Sequence, residues 1–461
     1  MDIVHGQARV NSRAEALAEG RAARRRLPRK GLARSVPHGR DPIAILEEQN
    51  AIRLQDLIPL RTERMLASPF AFYRGTAALM AADLGEDPHT GLIVASCGDA
   101  HLSNFGFFAS PERRLVFDLN DFDEAGVAPW EWDVKRLATS VVVGGVDAGY
   151  DEAAIRAITT DTVRTYQRSM ASLLAMSPVA RYFLHGNIDN SRAALDDRSR
   201  GALDAALARA QKRTSERAVR RTTEVGAGGV RRFVEEPPRM THMAVEQDEM
   251  LRLYAEYRAG VGVDLSLVLS QYAPVDVVRR VVGVGSVGTR CFLVLLEGAD
   301  GDTLLLQVKE ATETVLNRYG GMTFPDAVVE RFGAYGDGHR VVALQRVLQV
   351  VSDPFLGHFR LDGRDYYVRQ FHDMKGSMEL DGLGPEAFGA YAATCATMLA
   401  RAHAQSPGFA RIVGYLGRNS AAADAIVDWS FDYAEQSLRD FRAFRDAVAT
   451  GRLPSPPETV D

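Results

Sequence analysis

Lysine is scarce in this chain of 461 residues. Of its 55 basic residues only Lys30, Lys135, Lys212, Lys309 and Lys375 are lysines, and the other fifty are arginines. A GC-rich genome accounts for such a bias, yet where Arg is so favoured a retained Lys marks a position to inspect. Cysteine is scarcer: three residues, none in a CxxC pair, which argues against a disulfide scaffold or a thiolate zinc site. No run of about 18 apolar residues occurs, so no membrane span is expected. The N-terminus lacks the apolar core of a signal peptide. What remains, 46% hydrophobic and 25% charged with a net charge of −5, is the balance of a soluble globular protein expected in the cytoplasm. The length suggests roughly two to three domain-sized units.

Charge is unevenly spread. Residues 1–40 hold ten basic and three acidic side chains, a net of +7, which leaves −12 on the rest. This segment reads as a flexible basic arm. The acidic remainder gives no dedicated nucleic-acid surface, since counterion release needs a broad basic one.

Order is expected from Asp41-Pro42, an N-cap followed by Pro at the first helical position. Short strands are predicted at Leu92–Ala95 and Leu115–Phe117, with helices from about Trp132 to Gly144 and Glu152 to Ala175. Three strand-like runs follow at 277–282, 291–296 and 303–308, separated by Gly-rich turns, as in an antiparallel meander. The stretch 340–347 suits strand or helix equally; Tyr366–Val368 reads as strand, and the chain from Pro385 as helix. The expected class is α+β: an arm (1–40), a helical part (41–265), a β-rich unit (266–378) and a helical return (379–461).

The block Cys97-Gly98-Asp99-Ala100-His101-Leu102-Ser103-Asn104 follows a predicted strand. It is succeeded by Asp118-Leu119-Asn120-Asp121-Phe122-Asp123-Glu124. Five carboxylates, a His and two Asn in one window repel one another unless cations neutralise them. Oxygen ligands of this kind suit Mg²⁺. Asp99 and Asn104 stand five apart, the separation of the base and the metal-binding Asn in protein-kinase catalytic loops. Asp121 is then the choice for the Mg²⁺ that bridges phosphates.

Gly283-Val284-Gly285-Ser286-Val287-Gly288 joins two predicted antiparallel strands, with no helix opening after it. A dinucleotide-binding turn needs that helix; a flap over ATP phosphates does not. Lys309 ends the third strand of the meander, where a kinase carries its phosphate-binding Lys. Glu330, on the next helical stretch, is its expected carboxylate partner. Arg369 and Lys375 fall where an interlobe hinge is expected, and His403 reads as a core or capping residue.

The catalytic block resembles that of aminoglycoside phosphotransferases and choline kinases, which carry H-G-D-x-H-x-x-N, then I-D-[FW], then D-L-A. Here Gly98–Asn104, Asp121-Phe122 and Asp133-Val134 match in turn, with Cys97 in place of the first His. The resemblance implies that Asp99 is the catalytic base, that Asn104 and Asp121 hold the metal, and that Asp133 braces the loop; His101 and Asp123 support it. The Gly-rich turn and Lys309 follow the catalytic block by about 180 residues rather than preceding it, so a two-lobed kinase-like fold must be circularly permuted. From about residue 25 to 452 the chain also resembles a bacterial family of unassigned function, through Ser68–Gly75, Trp130–Leu137 and Leu399–Ala404.

The expected activity is Mg-ATP-dependent phosphoryl transfer to a hydroxyl-bearing acceptor, whose class the sequence leaves open, as it does the oligomeric state. Two alternatives stand beside it. One is a nucleotide-binding module without catalysis. The other is a metal-dependent phosphoesterase, although Gly186-Asn187-Ile188-Asp189 lacks the His such an enzyme needs.

Overall fold

The computed structural model describes residues 11–457 apart from 37–38, 185–196, 213, 227–228, 282 and 372–375. Lys375 and the 186–189 segment lie outside these described residues. Helices referred to below are α1 (Arg13–Ala23), α2 (Trp130–Asp147), α3 (Glu152–Leu173), α4 (Asp197–Gln211), α5 (Ser215–Thr222), α6 (Gln247–Gly260), α7 (Asp326–Leu348), α8 (Pro385–His403), α9 (Phe409–Leu416) and α10 (Ala421–Ala449).

Two short antiparallel ladders frame the carboxylate-rich block. β1 (Ile93–Ser96) pairs with β4 (Gly126–Pro129), and β2 (Phe105–Ala109) with β3 (Leu115–Leu119). Directly after β4 comes α2, with sixteen of its eighteen residues buried. A helix buried on every side must lie at the centre of its body. It packs against α3, α8 and α10, so the last eighty residues complete a core begun before residue 173.

The second body is a six-stranded antiparallel sheet in the order β11-β12-β10-β9-β8-β7. Its strands are β7 (Met240–His242), β8 (Ala273–Arg280), β9 (Cys291–Glu297), β10 (Thr303–Ala311), β11 (Gly357–Leu361) and β12 (Arg364–Gln370). Strand alternation divides β10 between two faces. Leu304, Leu306 and Val308 pack beneath α6 with Tyr254 and Tyr257, while Leu305 packs on the other face with Val278, Leu293 and Phe371. Lys309 shares the face of Leu305 and stands opposite Cys291 and Tyr367.

One open choice is resolved and two expectations need correction. The stretch 340–347 is helical, part of α7, with Val341, Val342, Leu344 and Leu348 buried at helical spacing. The β-rich unit starts earlier than residue 266, because β7 pairs with β8; three-residue strands are too short to show a period. The described part of the basic segment, residues 11–36 and 39–40, is not a free arm. Ser12 and Glu15 form a capping box, and α1 lies against α9. Two glycines allow the approach: a Cβ on Gly20 would sit 1.9 Å from the Arg411 carbonyl oxygen, and one on Gly414 2.4 Å from that of Leu17. Arg24 donates to the carbonyls of Tyr415 (2.9 Å) and Gly414 (2.6 Å), and Arg29 to that of Leu416 (2.9 Å). Part of the excess basic charge therefore caps a helix C-terminus, where cations are favoured. Gly414→Ala is expected to lower stability by about 1–3 kcal/mol through overpacking, read as a drop in the thermal midpoint. Among the described residues no helix is long and apolar enough to cross a membrane.

Candidate active site

The turn after β1 is held from below by α2. Asp133, in the first turn of α2, accepts from the Cys97 N–H (2.9 Å) and the Gly98 N–H (3.1 Å). The ring of His403 closes on the same carboxylate, Nε2 at 3.1 Å, and its Nδ1 lies 2.8 Å from the Tyr166 hydroxyl. Cys97 stands where the resembling families carry His, so an imidazole reaches this region from the far end of the chain instead. Ser140 accepts from the Leu102 N–H at 3.0 Å, and Tyr391 donates to the Leu102 carbonyl at 2.8 Å. Gly98 has φ +77°, and a Cβ there would lie 2.0 Å from the Glu124 carbonyl oxygen. Gly98→Ala meets both a left-handed backbone and a backbone clash. It is expected to cost at least about 2 kcal/mol, read by urea unfolding.

This bracing fixes Asp99. One carboxylate oxygen is 2.8 Å from the Arg136 guanidinium, and the other is 3.6 Å from His101 Nε2. Burial pushes the Asp99 carboxyl up from its ordinary range, Arg136 opposes the shift, and Asp121 adds to it. Burial pushes the His101 imidazole well down, and its Nδ1 is buried without a hydrogen-bond partner. The Asn104 side-chain amide donates to the Asp99 carbonyl at 2.6 Å, which leaves its own oxygen as an acceptor. The Asn120 N–H donates to the Asn104 carbonyl at 2.8 Å, tying this loop to the next.

The five carboxylates do not form one cluster. Asp118 is fully buried and accepts from the N–H groups of Val350 (2.6 Å) and Leu119 (2.8 Å). Burial pushes its pKa up to about 6. A carboxyl held protonated by folding stabilises the chain at acid pH, and that stability is lost as pH rises through the folded value. From its ordinary value to about 6 the loss is about 3 kcal/mol. Urea unfolding at pH 4.5 and 7 is expected to show a smaller fall for Asp118→Asn than for the parent chain. Glu124 accepts from the Val315 N–H at 2.8 Å, at the start of the short helix Val315–Arg318, and burial raises its pKa to about 7. Among the described residues no group of three or more His, Cys, Asp or Glu side chains is disposed to hold a metal by itself. Asn104 and Asp121 do line the same cleft with oxygen donors. That pair fits Mg²⁺, which takes one or two protein oxygens and completes its shell with phosphates and water.

Lys309 meets the second loop. It is 1% exposed, its ammonium pairs with Asp123, and it lies 3.6 Å from Asp121. Burial opposes its charge, but Asp121 and Asp123 outweigh burial and hold it protonated. The other oxygen of Asp123 accepts from the Tyr367 hydroxyl at 2.6 Å. Glu330 is not the partner of Lys309. It is exposed, on the part of α7 that precedes a kink at Gly336, whereas the buried positions of the helix start at that kink. Beyond the kink, Arg340 takes a tethering position. It donates to the carbonyls of Asp123 (3.0 Å), Thr312 (2.8 Å) and Ala125, clamping the 121–125 loop to the end of β10.

The 283–288 segment is a hairpin turn between β8 and β9, with positive φ at Gly283 and Gly288. It is tethered across the chain: Arg53 donates to the Val287 carbonyl (2.5 Å), the Leu54 N–H to that of Gly288 (2.8 Å), and Arg64 to that of Gly283. Gly283, Gly285 and Ser286 line one cleft with Asp99, His101, Asn104, Asp121 and Asp123. Ser286 Oγ is 3.5 Å from an Asp123 carboxylate oxygen. Gly288 packs on Arg53 instead, and Asp133 acts from beneath the loop. Sequence reasoning missed Arg340, Tyr367, Arg53 and the pairing of Arg136 with Asp99. Each is defined by a contact more than 35 residues away in sequence, and no local pattern announces it.

No curated protein and no solved structure matches this chain. One family does match, over residues 53–447, a span that includes the Gly98–Asn104 block, the Gly-rich turn and Lys309. The chain therefore belongs to DUF2252, a family of uncharacterised proteins conserved in bacteria.

Proposed function

We propose that the chain is a Mg-ATP-dependent phosphotransferase built on a kinase-like, two-lobed fold in circularly permuted order. The observation that carries this reading is the meeting of Ser286 and Lys309 with Asp123, in the loop that also bears Asp121, across about 160 residues of sequence or more. The sheet supports it. In the run β8-β9-β10-β12-β11 the Gly-rich turn joins the first two strands, Lys309 is on the third, and α7 connects β10 to β11. Those are the places that kinases give to the flap, the phosphate-binding Lys and the helix behind it. Arg74 also lines the cleft, and its Nε is buried with no hydrogen-bond partner, as an anionic ligand would require.

In this reading Asn104 and Asp121 would hold Mg²⁺, which when bound would neutralise phosphate charge. The turn at 283–288 and Lys309 position the phosphates. Asp99 orients the acceptor hydroxyl and takes its proton as the new oxygen–phosphorus bond forms and the bond to ADP breaks. The test is steady-state ATP turnover with candidate hydroxyl acceptors. Activity is expected to need Mg²⁺ and to fall at least about 100-fold in Asp121→Ala. Equal turnover in Asp121→Ala overturns the assignment. The Arg136–Asp99 ion pair favours a second reading, a nucleotide-binding module without transfer, because a paired carboxylate is a weaker base. ATP binding with no turnover on any acceptor selects it.

A further inference from the structure

A second concavity, which shares no lining residue with the cleft above, is formed by α4, α5, the end of β8 and the residue after β12. Its volume is about 560 Å³, within the range of small-molecule pockets. Lys212, Arg217, Arg221 and Arg280 line it, and Glu236 is the one carboxylate among its described lining residues. That carboxylate is already engaged by Arg239 at 3.1 Å. Arg209, at the edge, has Glu379 at 3.6 Å.

Arg280 is the distinctive member. Its guanidinium lies over the Phe371 ring, 4.9 Å from the centroid, and one of its terminal nitrogens rests 3.9 Å from the Met240 sulfur. Its Nε is buried without a hydrogen-bond partner. A guanidinium stacked on an aromatic ring and only partly solvated is costly unless an anion answers it. Arg280 sits two residues after Val278, so it shares the sheet face of Leu305 and Lys309, three residues before the Gly-rich turn begins. Arg217 and Arg221 come from adjacent turns of α5, four apart on one face. Three guanidinium forks around an aromatic wall, in a pocket of this size, match the bidentate geometry of phosphate oxygens on a small molecule.

We propose that this basic cavity binds a small molecule carrying two or more phosphate groups, at a site distinct from the Asp99–Lys309 cleft. The proposal does not depend on the phosphotransferase reading. Calorimetric titration of the full chain with inorganic tripolyphosphate in EDTA tests it, because without a metal the carboxylates of the cleft repel a polyanion. Binding is expected to weaken at least about tenfold in Arg217→Glu/Arg221→Glu and in Arg280→Met, and to stay within about twofold of the parent in Lys309→Met. Arg217 and Arg221 are exposed, so their replacement leaves the core intact. Three results overturn the proposal: no binding at millimolar tripolyphosphate, parent-like binding in Arg217→Glu/Arg221→Glu, or binding lost only in Lys309→Met.

Discussion

In the phosphotransferase reading proposed above, an Asp99→Asn chain is expected to bind Mg-ATP nearly as the parent does and to turn it over about 1,000-fold more slowly. A positioned general base contributes on the order of 10²–10⁴, and the amide keeps the shape of the carboxylate without its basicity. The Asp99 side chain pairs with Arg136 and faces His101. Nucleotide affinity, which the proposal assigns to Asn104, Asp121 and the Gly-rich turn, should therefore survive. The substitution also removes the carboxylate from a buried Arg136. Breaking a buried pair costs about 3–5 kcal/mol when nothing else answers the charge. Arg136 retains a bond to the Tyr73 carbonyl (2.8 Å) and lies over the Tyr73 ring, 4.0 Å from its centroid. The loss should fall at or below the lower end of that range. The measurements are turnover, nucleotide binding and thermal midpoint on the same preparation. Parent-like turnover in a folded Asp99→Asn chain removes Asp99 from the chemistry.

The second large effect is structural and acts through Asp133. Its two oxygens, 2% exposed as a residue, answer two backbone N–H groups and the His403 ring. Asp133→Ala leaves the Cys97 N–H buried without an acceptor and the Gly98 N–H with the Ser96 hydroxyl alone, at 3.2 Å. An unsatisfied buried donor costs about 1–3 kcal/mol, and a loss of about that size is expected in urea unfolding. His403→Ala keeps both backbone bonds and should cost less, apart from the cavity that it opens. The comparison separates loop bracing from core packing. If the two variants lose the same stability, the Asp133 carboxylate contributes little beyond contact with the imidazole.

Several local features were legible in the residues. Asp41 caps its helix as read, accepting from the Ile43 N–H at 2.8 Å. The strands near 93, 115, 277, 291, 303 and 366 appear where apolar runs and Gly-rich breaks put them. Such signals are local: propensity, alternation and turn chemistry act over a few residues. The Gly-rich hairpin at 283–288 was legible for the same reason. The strands at β7 and β2 were not, since the first is too short for a period and the second follows a loop rich in turn formers. The +7 segment misled because its charge was read as solvation, while Arg24 and Arg29 spend theirs on carbonyls at the other end of the chain.

The sequence by itself determined the α+β class, the family-like catalytic block and the short-range spacing of Asp99 with Asn104. Only the tertiary structure decided which charges meet. It paired Lys309 with Asp121 and Asp123 rather than Glu330, brought His403 onto Asp133, and separated Asp118 from the other carboxylates. The physical reason is that ion pairs and buried hydrogen bonds depend on distance and desolvation, set here by a sheet and a helical core built from segments far apart in the chain. A one-dimensional pattern holds the candidates for those contacts but not their partners.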